Sequence, residues 1–396
     1  MLHENPMTLE DNHMKRKCLA IGIILLFVGT CIVPAIAQNT EKSLPTSRGG
    51  WLYVGGSGPG NYTRIQDAIN DSHDGDIVFV YDDSSPYYES LIINTSITLM
   101  GEDKNTTIID GSNVTLREMI DVTAPGFTLT ELCIQNCHYD LTLGAVFIRN
   151  DEDEDRCSIT HNVFRDISAA AVYLKATHAL ISNNTFLNNS VGVALCYGGF
   201  HTVEDNVFIN NSVGMCIEEC HWNTVRGNTI VNSTAMNIIM SHYNAFSENI
   251  LDCNKHFGFD SFGSCKNTYS RNVISNSKYG LILQSSQQNS ITENNFINNI
   301  NQAIITHVNL FGLVMSIYFK RNYARNASLF SLLGKNQWEA NYWSDWESSS
   351  PRPIDRVFYF WSLEWLTRIT GTPYPIYLSQ YDWHPAQEPY DIPRMS

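Results

Sequence analysis

The chain is 396 residues long and carries 40 acidic against 25 basic residues, a formal net charge of −15. Such acidity argues against a nucleic-acid partner, which calls for a basic face. Apolar residues make up 43% and aromatic residues 11% of the chain, ample for a sizeable core, so wholesale disorder is excluded.

Residues 1–13 are polar and unpatterned, and Met14 reads as a true start. Lys15-Arg16-Lys17 follows, then an apolar run from Cys18 to Val33, then the small-x-small triplet Ala35-Ile36-Ala37. That is the layout of a secretory signal peptide. The apolar run falls short of the roughly 20 residues a spanning helix needs. Cleavage after Ala37 is therefore expected, giving a secreted or cell-surface protein; the alternative is an uncleaved N-terminal anchor, the one case that brings in a membrane. Residues 38–50 are a polar linker.

Trp51 to Val54 reads as a strand and Gly55 to Gly60 as a loop. Thr63 to Asn70 reads as a short helix with Ile65, Ala68 and Ile69 on one face. Ile77 to Val80 and Ser96 to Gly101 are further strands. A solenoid's first coil has an open end that must be covered, and this helix is the expected cap. Between Asn150 and Cys157 an acidic insertion lengthens one turn. Its Asp151 and Asp153 are candidate Ca²⁺ ligands, although no glycine stands where a compact calcium loop would turn. A solvated acidic loop is the plainer reading.

From Ile159 to Asn299 the chain falls into columns. Asn162, Asn184, Asn206, Asn228, Asn249, Asn272 and Asn294 recur at steps of 22, 22, 22, 21, 23 and 22 residues. An apolar column precedes them (Ile159, Ile181, Val203, Val225, Phe246, Tyr269, Ile291) and another follows (Phe164, Phe186, Phe208, Ile230, Leu251, Ile274, Phe296). A second polar column holds Asp166, Asn188, Asn210, Asn232, Cys253, Asn276 and Asn298. A unit this short cannot bury a core alone and must stack. Leucine-rich repeats are excluded by the missing run of spaced leucines. The apolar positions are β-branched or aromatic, which favours strands. Alternating pairs such as Val172-x-Leu174 and Met215-x-Ile217 put two side chains on one strand face. The expected fold is all-β: a parallel β-helix solenoid of about ten coils of ~22 residues. The column asparagines are read as structural, as left-handed corner residues and as an amide ladder.

After Asn299 the period degrades. Asn322-Tyr323-Ala324 and Asn341-Tyr342-Trp343 read as the last two coils, and Phe358 to Ile369 as a possible helix in an aromatic tail that covers the open end. The expected divisions are residues 1–37 (extension and signal peptide), 38–50 (linker), 51–118 (entry strands and helix cap), 119–345 (repeats) and 346–396 (aromatic cap).

The run TRIQDAINDSHDGDIVFV, with YYESLIINTSITLMGEDKNTTIIDG, resembles the entry segment of pectin-lyase-like β-helix proteins. Repeats such as Ser286 to Phe296 and Ser264 to Ile274 resemble the NosD-type region, also described for carbohydrate-binding proteins and sugar hydrolases. YDWHPAQEPYDI resembles tails of archaeal exported proteins of this kind. The resemblance covers roughly residues 51–345. It implies a right-handed helix, usually exported, and spans lyases, hydrolases, epimerases and a copper-site accessory protein.

Two columns carry candidate chemistry. One outward column holds Lys175, Cys196, Glu218, Phe262 and Gln284, with Arg149 on the preceding coil. Arg149, Lys175 and Glu218, beside the acidic insertion, are the candidate catalytic residues, a lyase-like cluster that no motif fixes. The other column places His221, His242 and Cys265 on three successive coils, with Cys220 adjoining and His178 and His201 one corner earlier. Imidazole and thiolate suit copper or zinc, with Ca²⁺ left to the acidic loop. The bland reading is polar turn surface. Two functions therefore stand: a non-catalytic exported scaffold binding a surface polysaccharide or an exported partner protein, possibly copper-related by resemblance, or a polysaccharide lyase, hydrolase or epimerase acting on uronate-type glycans. The mature cysteines suggest no disulfide pairing.

Overall fold

The structure, a computed structural model, describes residues 50–113, 118–138, 144–149, 156–252, 256–307, 335–360 and 374–392. The signal-peptide and cleavage expectations, Asp151, Asp153, Cys253 and Asn322 fall outside them.

The alternating apolar pattern becomes a right-handed parallel β-solenoid of about 11 turns. Three sheets of 12, 10 and 12 strands run its length. A regular coil gives a three-residue strand to the first sheet, such as Thr202–Glu204, then Val207–Ile209 to the second and six residues, Val213–Glu218, to the third. Neighbouring coils pair in the register of the repeat: Ile159 with Ile181, Ile181 with Val203, Val203 with Val225. The second-sheet column Phe164, Phe186 and Phe208 stacks inside at ring separations of 5.0 and 4.7 Å, and all three rings are fully buried.

The corners hold the buried polar groups. Asn184 donates its backbone N–H and its Nδ2 to Asn206 Oδ1, each at 3.0 Å, and its Nδ2 also reaches the Ile159 and Ser182 carbonyls. The same bonds link Asn162 to Asn184, Asn206 to Asn228 and Asn228 to Asn249. These asparagines form the amide ladder but are not themselves the left-handed residues. That conformation falls on the residue before each, with φ of 57° at Asn183, 55° at Asp205 and 57° at Glu248. The preceding residue reverses the chain, and the asparagine side chain is then free to swing inward. In the second polar column the left-handed expectation holds, with φ of 56° at Asn188 and 59° at Asn210.

Both ends are closed. At the first coil, helix α1 (Ile65–Asn70) buries Ile65, Ala68 and Ile69. Its N-cap, Arg64, supplies no side-chain bond. The buried Glu89 carboxylate does so instead, accepting the Ile65 and Gln66 N–H groups at 2.8 and 3.1 Å. At the last coil, Asn294 bonds directly to Asn341 and Phe296 pairs with Trp343. Asn294 and Asn341 are therefore successive rungs of the ladder, while Asn322 lies outside the described residues. Phe358 to Phe360 belong to a strand rather than a helix, because Arg352–Phe360 continues the third sheet and pairs antiparallel with Tyr374–Asp382. Trp343 is sandwiched between Phe296 (4.4 Å) and the Arg352 guanidinium (4.1 Å). Among the described residues no helix is long and apolar enough to cross a membrane.

The amide ladder ends on the tail. Asp382, fully buried, accepts the Asn341 N–H, Asn341 Nδ2 and Trp343 Nε1 at 3.0, 3.1 and 3.0 Å. Asp382→Ala orphans three buried donors, at about 1–3 kcal/mol each before relaxation. We expect a loss of at least about 3 kcal/mol in chemical denaturation. Asp382→Asn, which keeps an acceptor, should lose markedly less.

Candidate functional site

The outward face of the third sheet brings the first candidate column together as expected. Lys175 pairs with Arg149 and Cys196 with Glu218. The electrostatics are less favourable to catalysis. The Arg149 guanidinium is held by both Asp121 oxygens, at 3.1 and 2.7 Å. Lys175 and Glu218 stand two strand spacings apart, about 9–10 Å, with Cys196 between. Asp260, which the sequence reading passed over, lies in the neighbouring outward column, where it pairs with Asn237 and Ile282. Burial raises its carboxyl above the ordinary range, opposed by the Gln284 amide that donates to it at 2.6 Å. Burial also raises Tyr173 and Cys196, and pushes Cys216 to about 12. The part of this face around Tyr173, Cys196, Cys216 and Asp260 is therefore partly desolvated. A carboxylate at the centre of a strand, between the inward Phe259 and Ser261, was the signal for Asp260.

The second column occupies the corner from the third sheet back to the first. His221 and His242 stack at 5.1 Å with planes 13° apart. The His242 N–H donates to His221 Nδ1, and the Cys265 N–H to His242 Nδ1, both at 3.0 Å. Each Nδ1 thus stands in for an asparagine Oδ1, and the proton is placed on Nε2. Cys220 faces inward, buried against Asn223 at 3.3 Å, its thiol pushed by burial to about 12. His201 is two positions off the column, in a buried ladder with Asn223, Asn244, Asn267 and Asn289. His178 belongs to the adjacent exposed column, stacked on Phe200.

The donor set does not fit copper or zinc. An imidazole-bound ion lies in the ring plane about 2 Å from nitrogen. Two rings stacked face to face at 5.1 Å share no such point. Nδ1 is occupied and Nε2 protonated, so ligation also requires breaking the corner bond. Among the described residues no group of three or more His, Cys, Asp or Glu side chains converges. Cys133, Cys196, Cys216 and Cys220 are free thiols. Cys196 and Cys216 are out of register, since Cys216 pairs with Ala194.

What the sequence reading missed is the column beside the histidines. Six positions before the repeat asparagine stand Phe200, Trp222 and Tyr243, about half exposed. Their common offset was the available signal.

The comparisons follow this geometry. The family profile described as "Periplasmic copper-binding protein (NosD)" matches residues 134–348, more than half of the chain. No curated protein matches it in sequence. The A-module of mannuronan C-5 epimerase AlgE4 from Azotobacter vinelandii is similar in structure, with a TM-score of 0.52 at 16% identity over 61% of this chain and 76% of that one. The AlgE6 A-module from the same organism scores 0.48 at 14% identity, covering 70% and 88%. An alginate lyase from Paenibacillus sp. str. FPU-7 scores 0.39 at 11% identity, covering 62% and 90%. At these identities the likeness is one of fold.

Two outcomes follow. Burial, with His178 nearby, lowers His201 to about 4, below an unfolded value near 6.5. The unfolded chain takes up the proton first, so stability is full above about pH 6.5 and falls as pH drops toward 4, by up to about 3 kcal/mol. Burial lowers His221 in the same direction. His201→Asn, the residue the ladder uses elsewhere, should flatten melting temperature against pH over that window relative to wild type. Second, whatever copper(I) or zinc the purified protein retains under reducing conditions should be unchanged in a His242→Ala, Cys265→Ala variant; loss of one equivalent would restore the column as a metal site.

Proposed function

The chain belongs to the NosD family, and from that premise we propose that it is an exported, non-catalytic scaffold whose solenoid surface binds a polysaccharide. The observation that carries this reading is the state of the outward column. Arg149 is neutralised by Asp121, and Lys175 and Glu218 are separated by the coil that carries Cys196. Glycoside hydrolysis needs two carboxyl groups facing across one bond, and a lyase needs a free base at the sugar. Neither is assembled by the residues first singled out. A regular face with one outward side chain per coil suits a long repetitive ligand. The module of similar fold, from a mannuronan C-5 epimerase, is named for a polysaccharide, which supports that ligand class. The family's description names copper and the periplasm. Export agrees with the basic-apolar-small layout at the N-terminus. Copper finds no fitting donor set in the Cys/His column, so no role is routed through it.

A second reading, a polysaccharide lyase, hydrolase or epimerase, has one observation in its favour. Asp260 is a carboxyl group held toward its protonated form by burial, the condition of a general acid. Purified protein incubated with uronate and neutral glycans separates the two. We expect bound glycan with no new reducing ends, no unsaturated product in the ultraviolet and no change in uronate stereochemistry. Turnover that disappears in Asp260→Asn would replace the scaffold reading with the enzymatic one.

A further inference from the structure

The third corner carries a ridge that the fold does not require. Phe200, Trp222 and Tyr243 stand there with φ of 59°, 56° and 60°. Left-handed backbone is unfavourable for bulky side chains. Lys266 and Gln288 hold the same column at 60° and 58°, so the corner accepts flexible polar residues as well. The rings, with His178 beneath, stack at 5.0, 5.3 and 5.3 Å with planes 5°, 6° and 8° apart. Stacking between coils offsets part of the backbone strain. It does not explain why the rings face water. Phe200 is 50%, Trp222 50% and Tyr243 45% exposed. The core obtains the same stacking from Phe164, Phe186 and Phe208 while burying them. The corner imposes the left-handed backbone whatever residue stands there, as at Lys266 and Gln288; it does not impose rings, and rings kept exposed there point to use of that surface.

We propose that this ridge binds a neutral pyranose polysaccharide lying along the solenoid axis, one sugar per coil. The proposal rests on the scaffold reading and specifies its site and ligand class. A sugar has apolar C–H faces and a hydroxyl rim, and the ridge offers both partners. Ring surface recurs once per coil, a rise of about 4.8 Å comparable to the length of one pyranose unit. Alongside runs His221, half-buried, whose Nδ1 accepts the His242 N–H and whose proton is thereby placed on Nε2. The far end carries the Tyr243 hydroxyl, which accepts from Lys266 Nζ at 2.8 Å. Charge selects the occupant. Phe200 and Trp222 carry no ionisable group, the Lys266 ammonium stands only at the far end, and a chain of net charge −15 repels polyuronates and anionic membranes alike. Size disfavours a protein. Three half-exposed rings offer roughly 300 Å² at 150–250 Å² each, under half of the ~800 Å² per partner of a standard interface.

The test uses the full mature chain, titrated calorimetrically with neutral oligosaccharides (β-glucan, mannan, galactan) of increasing length and with oligouronates. Trp222→Gln and Phe200→Gln keep a side chain type that this column already holds at Gln288, and thermal melts confirm that each variant is folded. We expect neutral glycans to bind more tightly as they lengthen to about the four coils of the ridge. Each variant should weaken binding about tenfold or more, with uronates bound weakly or not at all. Preference for uronates, or neutral binding untouched by either variant, overturns the ridge while leaving the scaffold reading in place. A wild type that binds no glycan of either kind overturns both.

Discussion

Everything in this solenoid depends on satisfying polar groups at corners that are sealed from water. A chain that turns three times per coil buries backbone N–H and C=O groups at every turn, and an orphaned buried group costs roughly as much as a lost hydrogen bond. The asparagine amide answers this at each coil, with two donors and an acceptor that reach the coils on either side. Where another residue takes the position it does the same work. Ser241, Ser264 and Ser286 accept with hydroxyls, and His221 and His242 with Nδ1. The histidines that looked like ligands are in this sense members of the same hydrogen-bonding scheme.

Because the inside is committed, function is left to side chains that point outward, and these vary from coil to coil without disturbing the stack. The third sheet presents a partly desolvated face of Tyr173, Cys196, Cys216 and Asp260. The corner beside it presents aromatic rings to water. Both are rigid, since each outward residue sits on a strand or corner paired above and below. Preorganised surfaces of this kind lose little entropy on binding, which matters most for weak, repeated contacts with a polymer.

Periodicity made the inside legible and left the outside obscure. Ile159, Ile181, Val203 and Val225 could be aligned by eye because every coil imposes the same volume and strand geometry on them. The left-handed position was placed on the conspicuous asparagine, whereas it belongs to its neighbour: conformation at a corner is set by backbone reversal, and Asn183, Asp205 and Glu248 share no chemistry that sequence shows. The step from Asn294 to its ladder partner Asn341 is 47 residues, about twice the repeat, so the period alone did not identify the partner. At the candidate sites, offset alone grouped His221, His242 and Cys265 correctly on successive coils, but only side-chain hydrogen bonds reveal which ring nitrogen is spoken for. Phe200, Trp222 and Tyr243 obey an equally regular offset, and were passed over because three aromatics in a turn look like ordinary variation until their exposure is known.

The amide ladder also has a direction. Each asparagine donates toward the coil that follows it in the chain, from Leu132 through Asn162 and onward to Asn341. A partly assembled stack therefore leaves its last asparagine's N–H and Nδ2 donors bare on the growing side, beside carbonyls that also await the next coil, and orphaned donors are the less tolerated of the two. Assembly that follows synthesis thus has a built-in vector. Every new coil quenches the donors of the last, and the growing end stays unfinished until a group arrives that accepts without passing the bonds on. The buried carboxylate of Asp382 is such a group, a terminator of polymerisation folded into the chain it terminates.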